Sequence, residues 1–249
     1  MKTEEILTLF NEGFIPGPGE DEEAFLTRIR FCKSCAKMPE EILDKLPFSA
    51  QPFEKENLSF PWLIVTKSKK HLPLWELGAT WTVDKQKLIP ILQIKNETLS
   101  LSELIAHEEV HIRRIAFDEP KFEEIMAYRR SEKSWRRLLG PLFFRPKEAV
   151  FLLIFLFTAL VIEAGGGFMF GFILPLGYLG WLVKRLVAYQ KLFRAFLKIL
   201  RKEVKERVDE AALLFTDQEI KISVKNQALQ VPKDLRYRLF EAFSMKLGK

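Results

Sequence analysis

Residues 100–130 read SLSELIAHEEVHIRRIAFDEPKFEEIMAYRR. Apolar residues at Leu104, Ile105, Ile112 and Ile115 recur at helical spacing. Ser100 followed by Glu103 is a capping box that opens this helix. Pro120 lacks the N–H a helix needs and restricts the residue before it, so the helix stops near Asp118 and Glu119. Pro120 then suits the first turn of a second helix, expected to run to about Arg137. The short turn makes the two helices an antiparallel pair.

The first helix carries His107-Glu108-Glu109-Val110-His111, an H-E-x-x-H motif. A spacing of four puts both imidazoles on one face, one turn apart. Both can then reach one metal at about 2.0–2.1 Å. Glu108 falls beside the water that such a metal holds, placed to take its proton and pass it to a leaving amine. Zn2+ fits, because it accepts nitrogen and oxygen ligands, keeps an open position and acidifies its water. The whole chain has 3 His, and two of them are here.

A catalytic zinc takes a third protein ligand, and no further His follows at a suitable spacing. The second helix offers Glu123 and Glu124. Counting around the turn puts Glu124 level with residues 112–113, across the gap of about 8–10 Å between packed helix axes. Glu124 is therefore the expected third ligand and Glu123 the alternative. Tyr128, one turn further, comes level with Glu108, and its phenol is expected to stabilise an oxyanion.

His107-Glu108-x-x-His111 followed by Glu124-x-x-Ala127 resembles the gluzincin metallopeptidases over roughly residues 100–130. The resemblance implies hydrolysis of a peptide or protein substrate at a zinc ion held by two His and a later Glu. One sub-group of that clan lies in membranes and has a transmembrane hairpin between the motif and the ligand Glu. On that analogy Glu206 or Glu210 becomes the ligand instead.

Upstream, residues 3–36 read as two short helices around an irregular Gly13–Gly19 stretch. Residues 59–95 have strand character: 62–66 is an apolar run, 79–83 alternates, and 88–94 is broken by Pro90. That proline makes the last run an edge strand at best. Either 80–83 or 91–94 could be an edge beside the metal to which an extended substrate adds.

Downstream, the only charged side chain in residues 149–183 is Glu163. Two apolar runs there are split by Gly165-Gly166-Gly167. Lys and Arg crowd both flanks, from Arg129 to Lys147 and from Lys184 to Lys202, and the turn has none. This pattern predicts a transmembrane helical hairpin with both termini cytoplasmic, packed through Gly171, Gly177 and Gly180. Residues 186–215 read as one long amphipathic helix that lies on anionic headgroups or packs back on the catalytic part. Thr216 with Glu219 is a second capping box, and Pro232 opens the last helix.

The whole is expected to be an α+β chain: mostly helical, with a small N-terminal sheet on the H-E-x-x-H helix pair and a membrane hairpin. Its parts are 1–58, 59–137, 149–183 and 184–249. The net charge is +6. With no nucleic-acid motif and the basic residues flanking an apolar hairpin, that charge points to a lipid bilayer with anionic headgroups, and nucleic acid is excluded as partner. Cys32 and Cys35 are too few for a four-sulfur zinc site and read as ordinary thiols. The expected function is a membrane-anchored zinc metallopeptidase. The alternative is a non-enzymatic membrane hairpin that scaffolds partners or shapes lipid.

Overall fold

The computed structural model describes residues 1–50, 60–72, 76–83, 88–95, 101–165 and 170–245. The chain is mostly helical, with one three-stranded sheet. At the N-terminus α1 (Thr3–Asn11) and α2 (Glu22–Cys35) flank the irregular glycine-rich stretch, and a short α3 (Pro39–Leu43) follows. Cys32 and Cys35 are buried free thiols on α2, and burial pushes Cys32 up to about 11.

The sheet has the order β1 (Ile64–Lys67), β3 (Pro90–Ile94), β2 (Gly78–Thr82). β1 runs parallel to β3, and β2 runs antiparallel to it. The proline-broken run is therefore the central strand, fully buried, and not an edge. Pro90 escapes the penalty by being the first residue of the strand, where a missing N–H costs least. β2 is an edge, and it packs under α4 (Leu101–Arg113), where Gly78 leaves room for Leu104.

α4 and α5 (Pro120–Arg129) form the expected pair, turned by Asp118 in the left-handed conformation that Asp tolerates. Ser100 lies outside the described residues. The Glu103 carboxylate accepts hydrogen bonds from the Ser131 hydroxyl and the Arg136 guanidinium. The second helix ends at Arg129, short of Arg137, and α6 (Ser134–Leu139) starts anew. A 3₁₀ turn, Gly140–Leu142, leads into α7 (Pro146–Ala164).

α7 and α8 (Ile173–Glu203) make a helical hairpin, but not a transmembrane one. Among the described residues, no helix is long and apolar enough to cross a membrane. The uncharged run of α7, residues 149–162, is about 21 Å long at about 1.5 Å per residue. A bilayer core needs about 30 Å. Lys147 and Glu148 precede this run and Glu163 ends it. The apolar start of α8 stops at Lys184 and Arg185, and Arg185 binds Glu148 of α7 through both oxygens at 2.6 and 2.8 Å. The expected α+β fold with a membrane span, the membrane anchoring and the topology built on them are thereby overturned. Gly166 and Gly167 lie outside the described residues. Gly171 does permit close packing, since a Cβ there would lie 2.7 Å from the Ala159 carbonyl. Gly177 and Gly180 meet nothing.

Beyond the hairpin, α8 continues unbroken into the protein body. Its stripe Phe193, Phe196, Leu197 and Leu200 is buried in the largest apolar cluster, with Phe10, Phe122 and Phe215. Val204 breaks the helix, so the predicted single helix to Phe215 becomes α8 and a short α9 (Val208–Ala212). α10 (Asp217–Asn226) opens on the Thr216–Glu219 capping box as expected. α11 (Arg236–Met245) begins four residues after Pro232, with Asp234 accepting the Arg236 N–H. The basic face stays outside, and the apolar face joins α4 and α5 in one core.

Candidate metal centre

The α4–α5 turn brings His107, Glu108, His111, Glu124 and Tyr128 to one cleft. His107 and His111 stand one turn apart on α4, with their Nε2 atoms 3.3 Å apart. Glu124 of α5 reaches both: Oε2 is 3.8 Å from His107 Nε2, and Oε1 is 3.6 Å from His111 Nε2. Ligands about 2.0–2.1 Å from a tetrahedral zinc stand roughly 3.3–3.5 Å from one another. The triangle of donors thus suits one zinc ion, with a fourth position toward the cleft. His107, His111 and Glu124 are the metal-competent group among the described residues. Glu206 is exposed in the turn before α9, and Glu210 is ion-paired with Arg207, so neither joins this group.

Glu123 is not part of the triangle. Its Oε1 lies 2.8 Å from His111 Nδ1, on the far side of the ring from the donors. Its Oε2 accepts a hydrogen bond from Arg114 Nε at 3.2 Å. This partner was visible in the sequence only as a second acidic residue, because adjacent helical positions point in directions about 100° apart.

Glu108 is 5% exposed and points toward β2, where the Thr80 hydroxyl donates to its Oε2 at 2.8 Å. That bond holds the carboxylate beside the ligands without making it one. Thr80 entered the sequence reading only through its strand, since nothing in a lone Thr signals a carboxylate partner. Tyr128 lies against His107, ring edge to face, with centroids 4.5 Å apart. Its neighbour is thus His107 more than the expected Glu108. Gly140 makes the space: a Cβ there would lie 2.1 Å from Tyr128 Cδ1.

The electrostatics follow from crowding His107, His111, Glu108, Glu123, Glu124 and Tyr128 in a part-buried space. Burial, the charge of His111 and that of Arg136 hold His107 well below the ordinary imidazole value. Burial would lower His111 too. The Glu123 hydrogen bond and the charges of Glu124, Glu123 and Glu108 outweigh it and push His111 up to about 10. Burial raises Glu124 to about 7, with His111 opposing and Glu108, Glu123 and Glu76 adding to the rise. Burial and the Glu124 charge push Tyr128 up to about 12, so its phenol keeps its proton at neutral pH. An excess of acceptors around two imidazoles is what a cation would relieve.

The cleft has a volume of about 530 Å³. Thr80 of β2, the metal-competent triangle, Tyr128, Arg136 and Arg145 all line it. Comparison with family models, curated proteins and solved structures found no match for this chain.

Proposed function

We propose that this protein is a zinc-dependent peptide hydrolase of gluzincin type, with His107, His111 and Glu124 as metal ligands. The observation that carries this reading is a division of labour within one cleft. Three donors converge at zinc-like separations, and a second carboxylate, Glu108, stands in the same cleft held by Thr80 and free of the triangle. Structural zinc sites are closed by four protein ligands, whereas catalytic ones keep three and an open position. The open cleft supports the second kind.

Zinc supplies a Lewis acid and an acidified water when bound. The chain's own residues do the rest. Glu108 accepts the proton of the attacking water on its carboxylate and delivers it to the leaving amine, while Thr80 fixes the orientation of Oε2. Tyr128, kept neutral by burial, donates its O–H to the oxyanion that forms on the substrate carbonyl. Strand β2 runs beside these groups and, among the described residues, pairs on one side alone, with β3, which suits its other edge to an extended peptide.

The reading is tested by zinc content together with hydrolysis. Purified wild type is expected to hold one zinc per chain and to cleave casein or a mixed peptide library, and His107→Ala to lose both. Wild type that takes up no zinc would remove the metal centre. Wild type that binds zinc but cleaves nothing in the library would remove the peptidase.

A further inference from the structure

We propose that Arg114 and Glu123 are positioning residues for His111, with Arg114 anchored on backbone carbonyls of the C-terminal segment at residues 213–217. The proposal rests on the metal cluster described above. It adds a buried guanidinium, anchored on carbonyls about 99 residues away in sequence, that holds the outer partner of His111.

Arg114 follows α4 directly, and its side chain is fully shielded from water. A buried guanidinium is costly unless its donors are used. Nε donates to Glu123 Oε2 at 3.2 Å. Nη1 donates to two backbone carbonyls, Leu213 at 2.6 Å and Phe215 at 3.1 Å. The group stacks on Phe117, 4.0 Å from the ring centroid. Nη2 is left without a hydrogen bond, 3.7 Å from Glu119 Oε2. An arginine kept dry with one donor unused is poor packing, so its value lies in what the other donors hold.

They hold both ends of a chain of contacts. Leu213 and Phe215 lie between α9 and α10, where helix-end carbonyls need outside donors. Glu123 bridges the guanidinium to His111 Nδ1. A carboxylate on Nδ1 commits that nitrogen to carrying a proton and leaves Nε2, the atom facing His107 and Glu124, as the ligand. Two further bonds tie the same segments together: Glu119 Oε2 accepts the Asp217 N–H at 2.7 Å, and Asp217 Oδ1 accepts the Phe122 N–H at 3.3 Å. The α9–α10 turn is thus fastened to the helix that bears the His111 partner.

The chain also contains a matched control. Arg236 is equally buried, donates to the Leu214 carbonyl at 2.7 Å and pairs with Glu219 and Asp234. It grips the same C-terminal turn and lies over the same Phe117 ring as Arg114, but among the described residues it makes no hydrogen bond or ion pair with Glu123 or His111. Arg114→Met and Arg236→Met should both loosen that turn, and only the first should reach the metal.

The experiment measures zinc affinity of the full chain by competition with a chromogenic chelator, well below the unfolding temperature of each variant. The absorption spectrum of the cobalt-substituted protein is taken alongside. Relative to wild type, Arg114→Met and Glu123→Ala should weaken zinc binding about 10–100-fold, the cost usual for an outer partner of a ligating His. Glu123→Gln and Arg114→Lys should fall between these and wild type, and both should shift the cobalt spectrum. Arg236→Met should leave affinity and spectrum unchanged. Equal affinity for Arg114→Met and wild type, or equal losses for Arg114→Met and Arg236→Met, would overturn the proposal while leaving the metal centre intact. If Arg114→Met does not fold, the two Glu123 variants decide by the same criterion. Wild type that binds no zinc would instead defeat the metal centre itself, and this proposal with it.

Discussion

Replacing Glu108 by Gln separates catalysis from metal binding. The carboxylate is 5% exposed, and Thr80 Oγ1 donates to it at 2.8 Å. Gln has the same shape, and its amide oxygen can accept the same hydroxyl, so the fold and the donor triangle should survive. The amide cannot take a proton. A positioned general base is worth about 10²–10⁴-fold, which is about 2.7–5.5 kcal/mol of barrier at about 1.36 kcal/mol per tenfold. Glu108→Gln should therefore keep a full zinc load and an unchanged unfolding midpoint, and lose about 10²–10⁴-fold in kcat. Thr80→Val gives a graded comparison. It removes one hydrogen bond to a charged acceptor, worth about 1.5–3 kcal/mol at most, so its kcat should fall by no more than about 10–150-fold. The assay is turnover of a quenched fluorescent peptide selected from the library digest, at zinc saturation, with zinc measured by elemental analysis of the same sample. Two results would refute the reasoning. A zinc-loaded Glu108→Gln that keeps a tenth of wild-type kcat means the base lies elsewhere. A Glu108→Gln that arrives without zinc means Glu108 is a ligand.

Further perturbations test the remaining parts. Glu124→Gln, which swaps a ligand carboxylate for a poorly coordinating amide, should weaken zinc binding by more than about 100-fold, while Glu210→Gln, ion-paired with Arg207 outside the group, should bind as wild type; chelator competition reads both. Gly140→Ala must push Tyr128 aside, since the new Cβ would lie 2.1 Å from Cδ1. It should cost about 1–3 kcal/mol in urea unfolding and lower kcat without emptying the zinc site; unchanged stability would mean the ring moves freely. The Glu148–Arg185 pair gives a pH test. Burial raises the Glu148 carboxyl, but Arg185 and the Phe144 N–H more than compensate and hold it below its ordinary value. A lowered folded value means the pair's stabilisation is complete above the unfolded pKa of about 4.3 and is lost as pH falls through the folded one. The gap in melting temperature between wild type and Glu148→Gln should thus be open at pH 7 and close on acidification below about pH 4.3; a gap of equal width at pH 3 would exclude the pair as its source.

How far the sequence could be read depended on whether a feature was local. The H-E-x-x-H helix and its partner were legible because helical spacing, Pro120 and a turn at Asp118 fix geometry within about 25 residues. Counting around that turn favoured Glu124 as the third donor, and its carboxylate lies grouped with the two imidazoles. Glu123 was held as the alternative ligand, and its contact with His111 Nδ1 was not legible, because a count along the helix gives level but not direction. Pro90 was assigned to an edge by a rule about strand interiors, when its place as first residue of β3 exempted it. Thr80 gave no signal, since the carboxylate it holds lies 28 residues away, and Arg114 gave none, since the carbonyl that anchors it lies 99 residues away.

The hairpin is the instructive failure, because composition alone argued for a membrane. Uncharged length was the quantity that mattered, and residues 149–162 fall about 9 Å short of a bilayer core by the per-residue rise. Charge placement argues the same way. Glu148, just before the apolar run, binds Arg185 across the hairpin and so marks where its two helices are clamped. The Lys and Arg after it ride on a helix whose other face is the protein's own core. Flanking basic residues are therefore not independent testimony for a span when the helix that carries them continues into the body of the protein. Their apolar neighbours at Phe193, Phe196 and Leu200 already explain why the helix is amphipathic.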